Sequence, residues 1–308
     1  MASKTHETLT MKVLTMDETK CTGERLLTGY FDRFTIEHLH RYGLACRLAH
    51  NKKVLDIASG DGYGSNLLAS IALSVVGVDI DSFVIEHATN KYPKSNLRFV
   101  TGSADAIPVE SATIDLVVSF ETLEHHDKHE QMYAEIKRVL RPDGVLIIST
   151  PDRRFCSDAT DHRNAYHVKE LYFEEFLELN QRHFKNINIY SQKTVFGSLI
   201  VKHGNKDGFT MLRGDHSNIE PLNGFEEPTY HLCVASDSSL ESLGTGFFDG
   251  DRVLKDMEAA LSESWKTEQL AARADAHLRE IGNLKNSWSF RLGHALLTPI
   301  RLLLKRKE

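Results

Sequence analysis

The run Asp56-Ile57-Ala58-Ser59-Gly60-Asp61-Gly62-Tyr63-Gly64 constrains this chain more than any other stretch, because a strand pattern leads into it and a helical pattern leaves it. Val54-Leu55-Asp56-Ile57 has the composition of a buried strand, and Asn66 to Ala72 begins a helix. Gly60 and Gly62 let the backbone turn tightly and come to van der Waals distance of a ligand, which a residue with a Cβ does less easily. Strand, glycine turn and helix in this order make a βα unit.

The alternation continues downstream. Val75-Val76-Gly77-Val78 reads as a second strand, Asp81 can cap a helix carrying Val84, Ile85 and Ala88, and Leu97-Arg98-Phe99-Val100 reads as a third strand. Ile114-Asp115-Leu116-Val117-Val118 gives a fourth. Asp127 and Glu130 fit a capping box ahead of Met132, Ile136, Val139 and Leu140, which recur at helical spacing. That helix should stop at Arg141-Pro142-Asp143-Gly144, before a fifth strand from Val145 to Ser149. Such alternation implies an α/β fold with a parallel, doubly wound sheet and right-handed crossovers. A helix is expected near residues 168–179, a sixth strand at Ile187-Asn188-Ile189-Tyr190 and a seventh at His231-Leu232-Cys233-Val234-Ala235. The stretch 197–228 between the last two is too long for a hairpin loop and reads as an insertion or substrate lid.

At 308 residues there is room for one α/β domain with appendages. Residues 1–22 read as a flexible leader without the apolar centre of a signal peptide. Residues 251–286 are rich in Ala, Glu and Leu and lack Pro, as in a long helix that could pack on its own domain or on a second copy. Its apolar positions Leu254, Met257, Leu261, Leu278 and Ile281 fit heptads only in pieces. In residues 287–308, apolar side chains such as Trp288, Phe290 and Leu302 alternate with Arg291, Arg301 and Lys305, a composition suited equally to an anionic membrane surface and to packing within an oligomer. The net charge of −6 argues against nucleic acid as a partner. Four dispersed cysteines form no C-x-x-C pair, which points to a reducing cytoplasm.

Two features suggest what the glycine turn holds. Asp79 closes the second strand, where a carboxylate can accept both hydroxyls of a ribose. A nicotinamide dinucleotide would share that contact, but its fingerprint needs a third glycine where this chain has Ser65, and Asp56 would bring negative charge towards the pyrophosphate. A sulfonium ligand reverses the sign of that effect, since Asp56 then faces a cationic amino acid.

Across Val54 to Gly64, Val76 to Asp81, Gly102 to Pro108, Asp115 to His125 and Leu140 to Thr150, the chain resembles the class I S-adenosylmethionine-dependent methyltransferases of the methyltransferase type 11 group. The resemblance implies a methyltransferase domain over residues 23–240, with a Rossmann-like seven-stranded sheet, mostly parallel with an antiparallel last strand, followed by a C-terminal helical extension. It also implies that S-adenosyl-L-methionine is the cofactor. Gly60 and Gly62 would approach its methionine and ribose portions beside Asp56 and Ala58, Asp79 would bind the ribose, and Ile80 would pack on adenine. Where the family often has an aspartate for the adenine amino group, this chain has Ser103, so Ser103 or Asp105, with Ala104 between them, takes that contact. Ser119 and Phe120 look like the wall beneath the sulfonium. Arg41 and Tyr42, on a helix before the first strand, could cover the cofactor, with Arg41 pairing with its carboxylate; an exposed helix face is the competing reading.

More narrowly, the chain resembles methyltransferases encoded among bacterial surface-polysaccharide genes. The matching stretches are Gly23-Glu24-Arg25 with Glu37-His38-Leu39-His40-Arg41-Tyr42, Glu121-Thr122-Leu123-Glu124-His125-His126, Asn164-Ala165-Tyr166-His167-Val168-Lys169-Glu170-Leu171 and Ser287-Trp288-Ser289-Phe290-Arg291-Leu292. This implies transfer to a sugar hydroxyl of a glycan or nucleotide sugar. Such an acceptor must lose a proton, for which His125, His126 and His167 are the candidates, with Asp152, Asn164 and His167 as substrate contacts. Each is equally open to a plain structural role. His125, His126, Asp127, Asp161 and His162 match no metal-binding spacing, so no metal is assigned. The competing functions are methylation of a lipophilic acceptor such as a quinone, and a non-catalytic scaffold.

Overall fold

The structure is a computed structural model that describes residues 33–159, 164–195, 197–203, 212–214, 219–221 and 227–250, with scattered positions from 253 to 279. Strands β1 (Lys53–Ile57), β2 (Ser74–Asp79), β3 (Leu97–Thr101), β4 (Ile114–Phe120) and β5 (Leu140–Pro151) are parallel neighbours in the order β3-β2-β1-β4-β5. On the β5 side the sheet continues through β10 (Tyr230–Ser236) to β6 (Asn186–Val195), with β10 antiparallel to both. This is the expected seven-stranded arrangement. Two further strands, β7 (Gly197–Lys202) and β11 (Gly246–Phe248), extend it to nine at the β6 edge.

Alternation along the strands builds a core on each face of the sheet. Leu55, Ile57, Val117, Leu146 and Ile148 pack on one side with Met132 and Ile136 of α4 (His129–Val139) and Phe176 and Leu179 of α5 (Phe173–His183). Val54, Leu116, Val118, Ile147, Leu232 and Val234 face the other side, against Leu44 and Ala45 of α1 (Arg33–Ala49) and Leu68 of α2 (Tyr63–Ala69). Each such buried side chain stabilises the fold by about 1.5–3 kcal/mol relative to exposure. The remaining helix, α3 (Ser82–Lys91), is capped by Asp81, whose carboxylate accepts the Phe83 N–H at 3.0 Å as anticipated.

Several boundaries differ from the sequence pattern for identifiable reasons. Helix α2 starts at Tyr63 rather than Asn66 because Gly62, with φ +84°, forms its N-cap. The Asp127–Glu130 capping box is not made: α4 begins at His129, after Lys128, with no side-chain cap. Helix α5 starts at Phe173 rather than near 168 because the Val168 and Lys169 N–H groups are committed to the Glu124 carbonyl, at 2.7 and 3.0 Å. Arg141-Pro142-Asp143-Gly144 lies within β5 instead of forming a turn, at a register shift against Ile114 and Leu116 where a proline is tolerated. Part of the anticipated lid, 197–228, is regular: β7 belongs to the main sheet, and β8 (Leu212–Gly214) pairs with β9 (Ile219–Pro221) in a separate ribbon.

By contacts the chain divides into residues 1–255 and 256–308. In the second unit the described positions, among them Trp265 and Leu270, are helical and both named side chains are exposed. The leader, Met257, Leu261, Leu278, Ile281 and the tail 287–308 lie outside the described residues. Among the described residues no helix is long and apolar enough to cross a membrane.

Candidate active site

The turn after β1 is shaped by departures from ordinary backbone at three alternate residues: Ala58, Gly60 and Gly62 have φ of 58°, 51° and 84°. A side chain on Gly62 would drive into Phe99 and Ala88 at under 3 Å, whereas one on Gly60 would meet nothing within 4 Å, so open space lies over Gly60. Asp79 at the end of β2 fastens the turn. Its two carboxylate oxygens accept the N–H groups of Gly60 and Asp81, each at 3.0 Å. Next to it Ile80 is 72% exposed, an unusual position for a large apolar side chain in a crevice of this kind.

Behind the turn, Asp56 is fully buried on β1. It accepts hydrogen bonds from Ser65 Oγ at 2.6 Å and from Tyr42 Oη at 3.3 Å. Burial pushes its pKa up to about 7; the Ser65 and Tyr42 bonds oppose the rise, and neighbouring Asp79 adds to it. The Tyr42 ring occupies the space above Gly64, where a Cβ would lie 1.9 Å from its Cζ, and stands edge-on to Phe120 with centroids 5.1 Å apart. Ser65 therefore has a structural duty where a dinucleotide site would need glycine.

Helix α1 also delivers Arg41, the largest of the fully buried side chains. Its Nε donates to Gln192 Oε1 on β6 at 2.7 Å, Nη1 lies 3.2 Å from Glu121 Oε1, and the guanidinium stacks over Tyr230 at 4.2 Å. Burial would lower its pKa, but Glu121, Tyr230, Glu37 and Glu124 together hold it above the ordinary value. Nη2 is buried without a hydrogen-bond partner, so this cation retains donor capacity. Glu121, just past β4 at φ 52°, is fixed by Ser149 Oγ, which donates to it at 2.6 Å. Nothing local in the sequence gave Glu121 or Gln192 a role at the site, because their partner on α1 is remote along the chain.

The remaining cofactor candidates separate clearly. Asp105 accepts from Ser103 Oγ and from Lys128 Nζ at 2.6 Å; these bonds, Lys128 first, lower its pKa to about 2. Ala104 is half-buried and packs towards the core. Ser119 is wholly buried and donates to Thr122 Oγ1 at 3.0 Å, so its side chain faces the protein interior rather than the crevice.

Past β4 and β5 a second polar group assembles. The turn Leu123–His125 presents exposed His125, whose Nδ1 lies 3.2 Å from the Tyr166 carbonyl and whose ring is 5.2 Å from that of His167. His167 Nδ1 is 2.5 Å from Glu170 Oε1, and Asn164 Nδ2 lies 3.0 Å from His167 Nε2. Buried Glu124 completes the group, and burial followed by repulsion from Glu121 holds its carboxyl well above the usual range. An adjoining cleft of about 230 Å³ is lined by Arg153, Asp158, Asn164, His167, Lys169 and Glu170. His126 stands apart: Nδ1 accepts the Lys128 N–H at 3.1 Å, Nε2 is buried without a partner, and burial, then His129, lowers its pKa. Asp152 is turned inward, contrary to a substrate-contact role. Its oxygens are taken by His231 Nε2 and the Arg154 N–H, both at 2.9 Å. Asp161 and His162 lie outside the described residues.

Residues 55–148, which include the glycine turn, Asp79 and the acidic end of β4, match the family described as a methyltransferase domain. This stretch is a class I S-adenosylmethionine-dependent methyltransferase domain. Over 162 residues the chain is 36% identical to a probable S-adenosylmethionine-dependent methyltransferase of Mycolicibacterium smegmatis, covering 51% of this chain and 62% of that protein. It is 27% identical over 165 residues to a probable phthiotriol/phenolphthiotriol dimycocerosates methyltransferase of Mycobacterium ulcerans, covering 53% and 63%. The chain thus spans less than two thirds of either relative. A solved S-adenosylmethionine-dependent methyltransferase of Thermotoga maritima is similar at 16% identity, over 67% of this chain and 91% of that one, with a TM-score of 0.48.

The residues of the methyltransferase domain fit S-adenosylmethionine. Asp79 could accept ribose hydroxyls beside the Gly60 and Asp81 N–H groups it already holds, exposed Ile80 would offer adenine an apolar face, and the open space over Gly60 would admit the ligand. Asp56 can oppose an ammonium, and Arg41 Nη2 can meet a carboxylate.

Proposed function

We propose that the chain transfers the methyl group of S-adenosylmethionine to a hydroxyl oxygen of a carbohydrate, as a glycan or nucleotide sugar, in surface-polysaccharide assembly. The observation that carries this reading is the convergence of His125, His167, Glu170 and Asn164 beside a cleft lined by charged and amide side chains. A polyhydroxylated acceptor can satisfy such groups, whereas a quinone or long lipid would leave them desolvated and unpaired. The cofactor supplies a carbon activated by positive sulfur. The protein has to align the acceptor oxygen with it, exclude water and take charge of the acceptor's proton. Work at the cytoplasmic face of a membrane, with the helical extension serving assembly and the tail membrane contact, belongs to the same proposal.

Of the three histidines, His125 and His167 suit the proton-handling role. With Nδ1–H donated to a carbonyl, His125 keeps the Nε2 lone pair outward; Glu170 aligns His167 in the same tautomer, and its Nε2 serves once an acceptor displaces the Asn164 amide. His126 has its accepting nitrogen occupied by Lys128 and its other nitrogen buried. Replacing His125 or His167 by alanine is expected to lower kcat by about 10²–10⁴-fold with the cofactor Kd unchanged. Labelled S-adenosylmethionine incubated with nucleotide sugars, lipid-linked glycans and quinones tests the acceptor class; label appearing only in quinones would refute a carbohydrate acceptor.

Asp56 should make cofactor affinity pH-dependent. Its folded pKa, raised to about 7, means that the carboxylate is present above neutrality and is lost as pH falls. An ammonium ligand selects the carboxylate, so affinity should fall below pH 7 by up to about tenfold per unit. Calorimetry of Asp56→Asn should give a flatter profile than the natural chain, and equal profiles would remove Asp56 from the contact.

A further inference from the structure

We propose that Glu124, His125 and His167 form a binding site for one divalent transition cation of the zinc class. One carboxylate oxygen and one nitrogen from each imidazole lie within 4.8 Å of one another. Ligands sharing such an ion sit about 3.3 Å apart when each bond is about 2.1 Å, so the group must contract by up to about 1.5 Å, a movement for which exposed His125, hinged on the Tyr166 carbonyl, has room. Two imidazoles and one carboxylate suit a borderline divalent ion and leave positions open for water or substrate.

The surroundings resemble those of a ligating set. Each histidine has its Nδ1 held by an oxygen, the Tyr166 carbonyl for His125 and the Glu170 carboxylate for His167, which directs the Nε2 lone pairs to the other side of the rings. The Glu124 carbonyl accepts the N–H groups of Val168 and Lys169, so the loop bearing His167 is tied to the residue that supplies the carboxylate. The Glu124 side chain is itself buried, with Thr150 Oγ1 at a long 3.4 Å. Asn164 Nδ2 now donates to His167 Nε2, so the cation displaces this amide as it binds.

The role of the cation rests on the methyl-transfer reading above; its binding does not. An acceptor hydroxyl entering an open coordination position loses its proton to water more readily. Its oxygen then attacks the sulfonium methyl: a C–O bond forms, the C–S bond breaks, and the electron pair of that bond stays on sulfur in S-adenosylhomocysteine. In this arrangement the two histidines act on the acceptor's proton through the cation, as its ligands rather than as free bases, and no oxidant or reductant is needed.

Full-length protein stripped with a chelator is titrated with Co²⁺ and followed by visible absorption, and with Zn²⁺ by calorimetry. One saturable site with cobalt ligand-field bands is expected. Affinity should fall at least tenfold in His125→Ala, in His167→Ala and in Glu124→Gln, while each variant still binds S-adenosylmethionine. Because His125 is exposed, its alanine variant should keep the natural melting temperature and so reports on ligation alone. Absence of saturable binding, or unchanged affinity in His125→Ala and His167→Ala, overturns the cation site and leaves methyl transfer standing. Tight cation binding without transfer to any hydroxyl acceptor supports the site and overturns the proposed function.

Discussion

Asp79→Ala is expected to weaken S-adenosylmethionine binding by at least a hundredfold. The carboxylate serves two purposes: it accepts the Gly60 and Asp81 N–H groups that shape the turn, and it is the acceptor available for ribose hydroxyls. A hydrogen bond to a charged group contributes about 1.5–3 kcal/mol, so losing two from the ligand costs about 3–6 kcal/mol, or about 10²–10⁴-fold in Kd. Asp79→Asn retains one oxygen and should lie between the two. Calorimetry distinguishes these outcomes; an alanine variant within fivefold of the natural affinity would place the ribose elsewhere.

Arg41→Met should be the most destabilising single change at the site. Arg41 is wholly buried among Glu121, Glu37 and Glu124, so its removal leaves carboxylates in a dry environment without their cation. Breaking a buried ion pair from one side costs about 3–5 kcal/mol. The loss should depend on pH in a defined sense. Glu124 already has a raised pKa through burial and Glu121, and the cation that opposes the rise would be gone. A carboxyl with a raised folded pKa destabilises the fold as pH climbs above its unfolded value, and the full deficit appears above the folded value. The deficit in melting temperature between variant and natural chain should therefore be larger at pH 8 than at pH 5. A constant difference would mean that Arg41 acts by packing on Tyr230 instead.

The sheet up to β5 was legible because each strand is a short, mostly apolar run and most of the turns carry their own punctuation. Asp79 and the glycine turn were legible for the same reason, since every part lies within one βα unit. What escaped was non-local. Gly197 to Lys202 holds the strand-like Leu199-Ile200-Val201, but the Gly- and Asn-containing residues around it read as a lid. Glu121 and Glu124 stand in plain view as Glu-Thr-Leu-Glu, yet only the fold brings Arg41 against the first and His167 near the second. The capping box at Asp127 failed because Lys128 reaches Asp105, and His126 Nδ1 takes the Lys128 N–H, ahead of the first helical turn. Asp152 looked like a substrate ligand until β10 supplied His231.

The ties on α1 bear on how the molecule is born. Gln192 and Ser198, on β6 and β7, hold Arg41, the Glu37 carbonyl and His40 of a helix made long before them. A nascent polypeptide cut short ahead of Asn186 already owns the glycine turn, Asp79 and the Tyr42–Asp56 and Arg41–Glu121 contacts of the helix that roofs Gly64, but not the ties from Gln192 and Ser198. During translation the last ties on the helix that covers the turn therefore come from the far end of the sheet, once β6 and β7 have been made.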